Sequence, residues 1–231
     1  MKHQPLENPY FDQLTENLSF MSARTFQNNR KFRQHPQLAA ICPEYIYTSY
    51  CVASSTVPLM EETLRCAQEL PDDPICEPLS DYLRQHIEEE RNHDEWVIRD
   101  LMALGMTRAE ITSRLQPPNV AALIGSQYYW VRHHHPVAFM GYIGTMEVYP
   151  PTVEYVENLI RDSGLPAAGF DTLMMHAKVD VEHRKDIIAL LNTLPLEDHH
   201  REIVEMSAFQ THRYMALIMD DICRSSIHKP G

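Results

Sequence analysis

Two stretches of this chain place imidazoles and carboxylates at intervals that bring them together only on a helix. His176, Asp180 and His183 stand at i, i+4 and i+7, and His86, Glu90 and His93 repeat the interval upstream. At about 100° per residue, three such positions fall within roughly 60° of arc, so each stretch projects two imidazoles and a carboxylate from one helix face. Two such helices facing each other would make a metal cage. Thirteen histidines in an acidic chain generate some of these spacings by chance, and either stretch alone is compatible with a solvated face. The pair is harder to explain that way, because both stretches run into apolar flanks: Trp96, Val97 and Leu101 in one, Ile187, Leu190 and Leu191 in the other. Buried carboxylates and imidazoles need a partner, and a cation satisfies both.

The remaining sequence predicts helices to carry these faces. There are only seven glycines, no convincing apolar alternation, and long runs of Leu, Met, Ala, Glu and Arg, which makes the expected class all-α. At 231 residues the chain fits a single helical domain, 1–231, able to bury a core without staples. The metal-binding helices are expected at about 77–105, 120–148 and 166–194. The first ends at Gly105, where a left-handed cap is expected, and Thr107 to Glu110 reads as a capping box. An initial segment from about Asn8 to Arg33, with Phe11, Leu14, Leu18, Met21 and Phe26, reads as one helix or two short ones, ended by His35-Pro36. Pro58 is expected to kink or divide the helix that runs from Cys42 to Leu70.

Composition removes several function classes. A net charge of -12 argues against nucleic-acid or anionic-membrane partners, and no Gly-rich phosphate loop is present. There is no signal-like N-terminus and no apolar run long enough for a membrane span, so a cytoplasmic location is the expectation. Five cysteines without a C-x-x-C pair read as free, mostly buried thiols in a reducing compartment. His133, His134 and His135 are consecutive and would point in different directions from a helix, which makes them a poor ligand group.

Glu147 is the third feature that bears on chemistry. It follows Val137, Phe139, Met140, Ile143 and Met146, company in which a carboxylate is costly unless paired, although an exposed position near the helix end is the alternative. Gly141 and Gly144, one turn or so earlier, remove bulk for a close helix crossing or a slim substrate chain. Glu90 and His93, Glu147, and His176, Asp180 and His183 together form a nitrogen and oxygen set suited to iron or manganese and large enough for two ions.

Glu90-x-x-His93 followed by Trp96 and the Ala103-Leu104-Gly105 helix end, then Glu147, then His176-x-x-x-Asp180-x-x-His183, resembles the haem-oxygenase-like di-iron oxidase superfamily, in its iron-containing redox enzyme, Glu-x-x-His branch. The resemblance runs from about Leu79 to Leu191. It implies a seven-helix bundle of the haem-oxygenase fold and a non-haem centre of two ferrous ions, with manganese compatible with one site. Dioxygen would be the co-substrate and a small carboxylate-bearing molecule, amino-acid-like, the substrate. The reaction types it implies are N-oxygenation, carbon–carbon cleavage and oxidative decarboxylation. Some relatives place the first carboxylate seven residues before the histidine, where this chain has His86; that residue then supports a ligand from behind or is itself an occasional ligand. Glu89 replaces Glu90 if the helix is locally over- or underwound.

Outer acceptors for the imidazoles would be Glu88, Glu182 or Asp186. Electrons would come from substrate or an external donor, and a homodimer is compatible with the resemblance. Tyr142 and Gly144 are the candidate substrate contacts, with Tyr149 and the Tyr128-Tyr129-Trp130 run as further candidates for the pocket wall. Lys178, Arg91 and Arg184 lie off the ligand arc, so the sequence names no cationic clamp. Two other classes compete. His93-Asp94 supplies the dipeptide of an HD-type metal-dependent phosphohydrolase, but Asp94 points about 100° away from His93. A non-catalytic ferritin-like iron-binding protein would usually carry two Glu-x-x-His helices, whereas here His-x-x-x-Asp-x-x-His is used once.

Overall fold

Helix boundaries fall where the sequence supplies breakers, and in two places where it gives little warning. A computed structural model describes residues 9–147 and 150–225, with the backbone alone for 22, 23, 26 and 179–182, so the Phe26 and Asp180 side chains and all of Tyr149 lie outside the described residues. The described residues form helices and their connections, without a strand, as the composition predicts. They form α1 (Tyr10–Asn17), α2 (Ser19–Arg33), α3 (Leu38–Gln68), α4 (Cys76–Glu90), α5 (His93–Ala103) and α6 (Arg108–Ser113). There follow α7 (Pro118–His133), α8 (Phe139–Glu147), α9 (Val153–Ser163), α10 (Asp171–Thr193) and α11 (Asp198–Ser225).

Eleven α-helices rather than seven result because expected long helices are divided. The 77–105 segment breaks at Arg91 and Asn92, where Asn92 adopts φ 72°. Asparagine is among the few non-glycine residues that enter the left-handed region readily, and neither proline nor glycine marks the place. The 120–148 segment breaks at His134 to Ala138, where the ring of His135 accepts a hydrogen bond from the Val137 N–H at 3.1 Å and Pro136 starts a 3-10 turn. The 166–194 segment begins as another 3-10 turn, Ala167–Gly169, before α10 starts at Asp171.

Other boundaries follow the expected signals. Gly105, at φ 94°, ends α5 with hydrogen bonds from Gly105 N to Met102 O and from Met106 N to Leu101 O. Thr107 and Glu110 form the reciprocal capping box. Pro58 does not divide α3, which runs continuously through it. The helix is held there by burial of Leu59 and Met60 and by packing on α4, α5 and α7.

α10 runs through the core against α4, α5, α8 and α9, and α11 packs on α2, α7 and α8. One buried carboxylate sets the relation of α5 to α10: Asp100 on α5 accepts a hydrogen bond from the Thr172 N–H at 2.9 Å. It thereby satisfies an orphan amide in the first turn of α10, a helix with no side-chain cap of its own. Burial raises the Asp100 pKa, against the opposing effect of the Thr172 amide.

Gly141 has a packing role. A Cβ built there would overlap the backbone of α11 at Val204 O and Ala208 N, so the space is taken by a helix crossing rather than by room for substrate. Gly125, in the exposed part of α7, has nothing within 4 Å of such a Cβ. Gly141→Ala should therefore destabilise the protein by about 1–3 kcal/mol. Gly125→Ala should stabilise it by about 0.5–1 kcal/mol. Urea unfolding followed by circular dichroism separates the two; equal effects would contradict this packing.

Candidate metal centre

Four helices bring their polar side chains to one place. The last turn of α4 supplies His86, Glu89 and Glu90, and α5 begins with His93 just past the Asn92 break. α8 ends on Glu147, and the middle of α10 carries His176 and His183, with Asp180 between them on the backbone. His86, Glu90 and His93 are buried, and Glu147 and His183 are each 13% exposed.

The atoms converge closely. His86 Nε2 lies 3.1 Å from Glu147 Oε1, His183 Nδ1 lies 3.4 Å from Glu147 Oε2, and His183 Nδ1 lies 3.9 Å from Glu90 Oε1. His93 Nδ1 is 2.8 Å from Glu90 Oε2. The imidazoles form two edge-to-face pairs, His86 with His183 at 4.9 Å between ring centres and His93 with His176 at 5.1 Å. The ligand set read from the sequence is thus brought together as far as its side chains are described, and His86 joins it.

Burial opposes the charge on Glu147, but the adjacent His183 and His86 imidazoles outweigh it and hold its pKa down to about 2. Burial likewise opposes the charged form of His86; the Glu147 carboxylate overcomes it and moves the His86 pKa upward.

Three observations fit a cation in this cluster. One ligand atom from each of His86, Glu90, Glu147 and His183 lies within 4.8 Å of the others. Donors about 2.1 Å from a common ion stand at most about 4.2 Å apart, so a small contraction would close the shell. His93 Nδ1 and Glu147 Oε2 are buried without a hydrogen-bond partner, although carboxylate or imidazole atoms lie nearby: the contacts are close but not aligned for hydrogen bonding. Finally, Glu89 Oε2 lies 3.4 Å from His86 Nδ1 and 3.6 Å from His183 Nε2. Outer nitrogens facing a carboxylate turn the inner ones, His86 Nε2 and His183 Nδ1, toward the cluster, the orientation a metal ligand needs. Glu88 instead pairs with Arg91 at the surface.

Asp73, Cys76 and His135 form a second close group, but its chemistry opposes a metal. His135 Nδ1 accepts from the Val137 N–H, so Nε2 carries the proton and donates to Asp73 Oδ2 at 3.2 Å. Burial, followed by the Asp73 charge, pushes the Cys76 thiol up to about 11. The group is a tie between the start of α4 and the turn before α8. All five cysteines are free, as expected.

A cavity of about 310 Å³ opens beside the centre, between α4 and α10, lined by His86, Glu89 and His183 at its inner end. Tyr142 does not line it: this residue is fully buried, with its hydroxyl 3.1 Å from Thr56 Oγ1. Gly144 borders a smaller apolar cavity of about 30 Å³ beside α1 and α11. In the aromatic run on α7, Tyr129 is exposed and Trp130 donates to Gln210 at 2.6 Å.

The family model described as iron-containing redox enzyme matches residues 66–213, a span that contains the whole cluster. The chain belongs to the iron-containing redox enzyme family. Similar solved structures include a domain of unknown function with a haem-oxygenase-like fold from Shewanella denitrificans, 18% identical with a TM-score of 0.73, covering 94% of this chain and 88% of that one. A TenA homologue from Pseudomonas syringae is 16% identical with a TM-score of 0.73, covering 96% and 98%. A CADD-like protein of unknown function from Nostoc punctiforme is 13% identical with a TM-score of 0.62, covering 91% and 100%. At these identities the likeness shows the haem-oxygenase-like fold, in agreement with the sequence resemblance. No curated protein matches the sequence. No helix among the described residues is long and apolar enough to cross a membrane.

In this family member, ligand imidazoles must be neutral to bind metal, whereas Glu147 favours a proton on His86. Metal binding should therefore release protons, and affinity should rise with pH through the neutral range as His86 loses its proton. Calorimetry in two buffers of different ionisation enthalpy measures the release, which Glu147→Gln should reduce. Heats independent of buffer would contradict this electrostatic account.

Proposed function

We propose that the chain is a non-haem di-iron oxidase or oxygenase that uses dioxygen to oxidise a small carboxylate-bearing, amino-acid-like substrate. The observation that carries this reading is the convergence of four imidazoles, two of them buried, with Glu90 and Glu147, and with Glu89 at the outer edge, inside the residues matched by the iron-redox family model. Similar solved structures align over nearly the whole chain, which supports a single domain.

On this reading His93, His176 and Glu90 would hold one iron, and His86, His183 and Glu147 the other. Asp180, on the same helix as both α10 histidines, would complete the set. Bound ferrous ions supply the electrons that activate dioxygen, with manganese an acceptable replacement in one site. Glu89 fixes the orientation of His86 and His183, and the packed helices exclude bulk water from the inner face of the cluster. Electrons beyond those of the metal come from substrate or an external donor.

An HD-type phosphohydrolase would use Asp94 as a ligand, and Asp94 belongs to neither group of converging residues. A ferritin-like protein would store iron without a substrate cavity beside it.

Anaerobic loading should give about two ferrous ions per chain. Admission of dioxygen should then give uptake that a true substrate accelerates. His93→Ala and Glu90→Ala should each lower iron affinity by about 10–100-fold, while Glu88→Ala should leave it nearly unchanged. Saturation at one ion, or anaerobic turnover of a phosphate ester with magnesium, would overturn the proposal.

A further inference from the structure

The cavity beside the centre has a charge pattern that bears on the substrate. None of its lining residues is a lysine or an arginine, whereas Glu89 and Asp186 both face it. The two carboxylates differ in what they already do. Glu89 takes a hydrogen bond from Gln85 Nε2 at 2.8 Å and stands behind His86 and His183. Asp186 has no hydrogen-bond or ion-pair partner among the described residues. It follows His183 by three residues on α10, about 4.5 Å further along the helix axis. Beyond it, Ala189 and Leu190 give the wall an apolar surface, and the ring of Tyr82 adds to it from α4. The Tyr82 hydroxyl is buried and lacks a hydrogen-bond partner, an unused polar group on a side chain that lines the cavity.

Charge balance gives the same direction. Two ferrous ions would be offset by Glu89, Glu90, Glu147 and Asp180, which leaves Asp186 as the carboxylate in excess at the cavity. A cavity of about 310 Å³ lies at the small end of ligand sites, so its occupant is a small molecule.

We propose that this cavity is a subsite for a primary ammonium group on a short apolar chain, with Asp186 as its counter-ion and the chain lying along Ala189, Leu190 and Tyr82. Asp186 is a substrate-positioning residue that holds the amine end next to the centre. Among the described residues no lysine or arginine lines the cavity, and its two imidazoles, His86 and His183, are already engaged by Glu89 and Glu147, so a substrate carboxylate would have to bind at the metal. This inference deepens the di-iron reading and rests on it for the reaction, though amine recognition itself needs no metal.

The test compares n-butylamine with butyrate by calorimetry at neutral pH, on metal-free protein and on anaerobically iron-loaded protein, with iron counted in each sample. n-Butylamine should bind and butyrate should not bind the metal-free protein. Asp186→Asn should weaken the amine by about tenfold or more, and Asp186→Lys should reverse the preference. Because Asp186 is exposed, both variants should fold, which circular dichroism checks. Equal binding of the two probes, or amine binding unchanged in Asp186→Asn, would overturn the subsite even if iron loads normally. Amine selectivity that depends on Asp186 in a chain that takes up no iron would retain the subsite and refute the iron centre.

Discussion

A carboxylate enclosed in a helical bundle stays ionised only if positive charge or strong donors reach it, and here Glu147 is held between His86 and His183. Much of the architecture serves that contact. Glu147 is the last residue of α8, and its side chain reaches both imidazoles. α8 is fixed by the close crossing with α11 at Gly141. His183 arrives from the middle of α10, a 23-residue helix whose first turn is tied to α5 by Asp100. Removing either imidazole would leave a buried negative charge with half its compensation, a more damaging change than losing a surface ion pair.

The break at Asn92 has a functional consequence as well as a structural one. A continuous helix would place His86, Glu90 and His93 along one stripe, all addressing the same side. With the helix interrupted, α4 ends at Glu90 and α5 restarts at His93, so the two histidines meet different partners: His86 stacks edge-to-face with His183, and His93 with His176. Glu90 approaches one ring of each pair, His93 through Oε2 and His183 through Oε1. On the proposed reading, Glu90 would be the carboxylate shared between the two groups of ligands.

The sequence revealed the ligand types and their partners to the extent that helical periodicity governs them. Glu90, His93, His176 and His183 were legible because regular spacing aligns them, and Glu147 because a charge among Phe139, Ile143 and Met146 needs an explanation. Spacing placed His86 on the same face as Glu90 and His93, but the family resemblance, in which a carboxylate can occupy that position, reduced it to a supporting or occasional ligand, and periodicity alone could not show that its ring meets Glu147. Glu89 was treated as an alternative ligand, whereas its carboxylate lies behind two imidazoles, a position that depends on how α4 meets α10. The left-handed turn at Asn92 had no proline or glycine to announce it. The role of Gly141 was ambiguous for a similar reason: a missing side chain creates room, but only tertiary packing decides whether a ligand or another helix fills it.

The central claim is that this buried cluster holds two irons, and anomalous diffraction at the iron edge from crystals loaded anaerobically with ferrous iron tests it most directly. The account predicts two peaks per chain, one against His93, His176 and Glu90 and the other against His86, His183 and Glu147. A single peak in the cluster, or iron bound at Asp73, Cys76 and His135 instead, would contradict it.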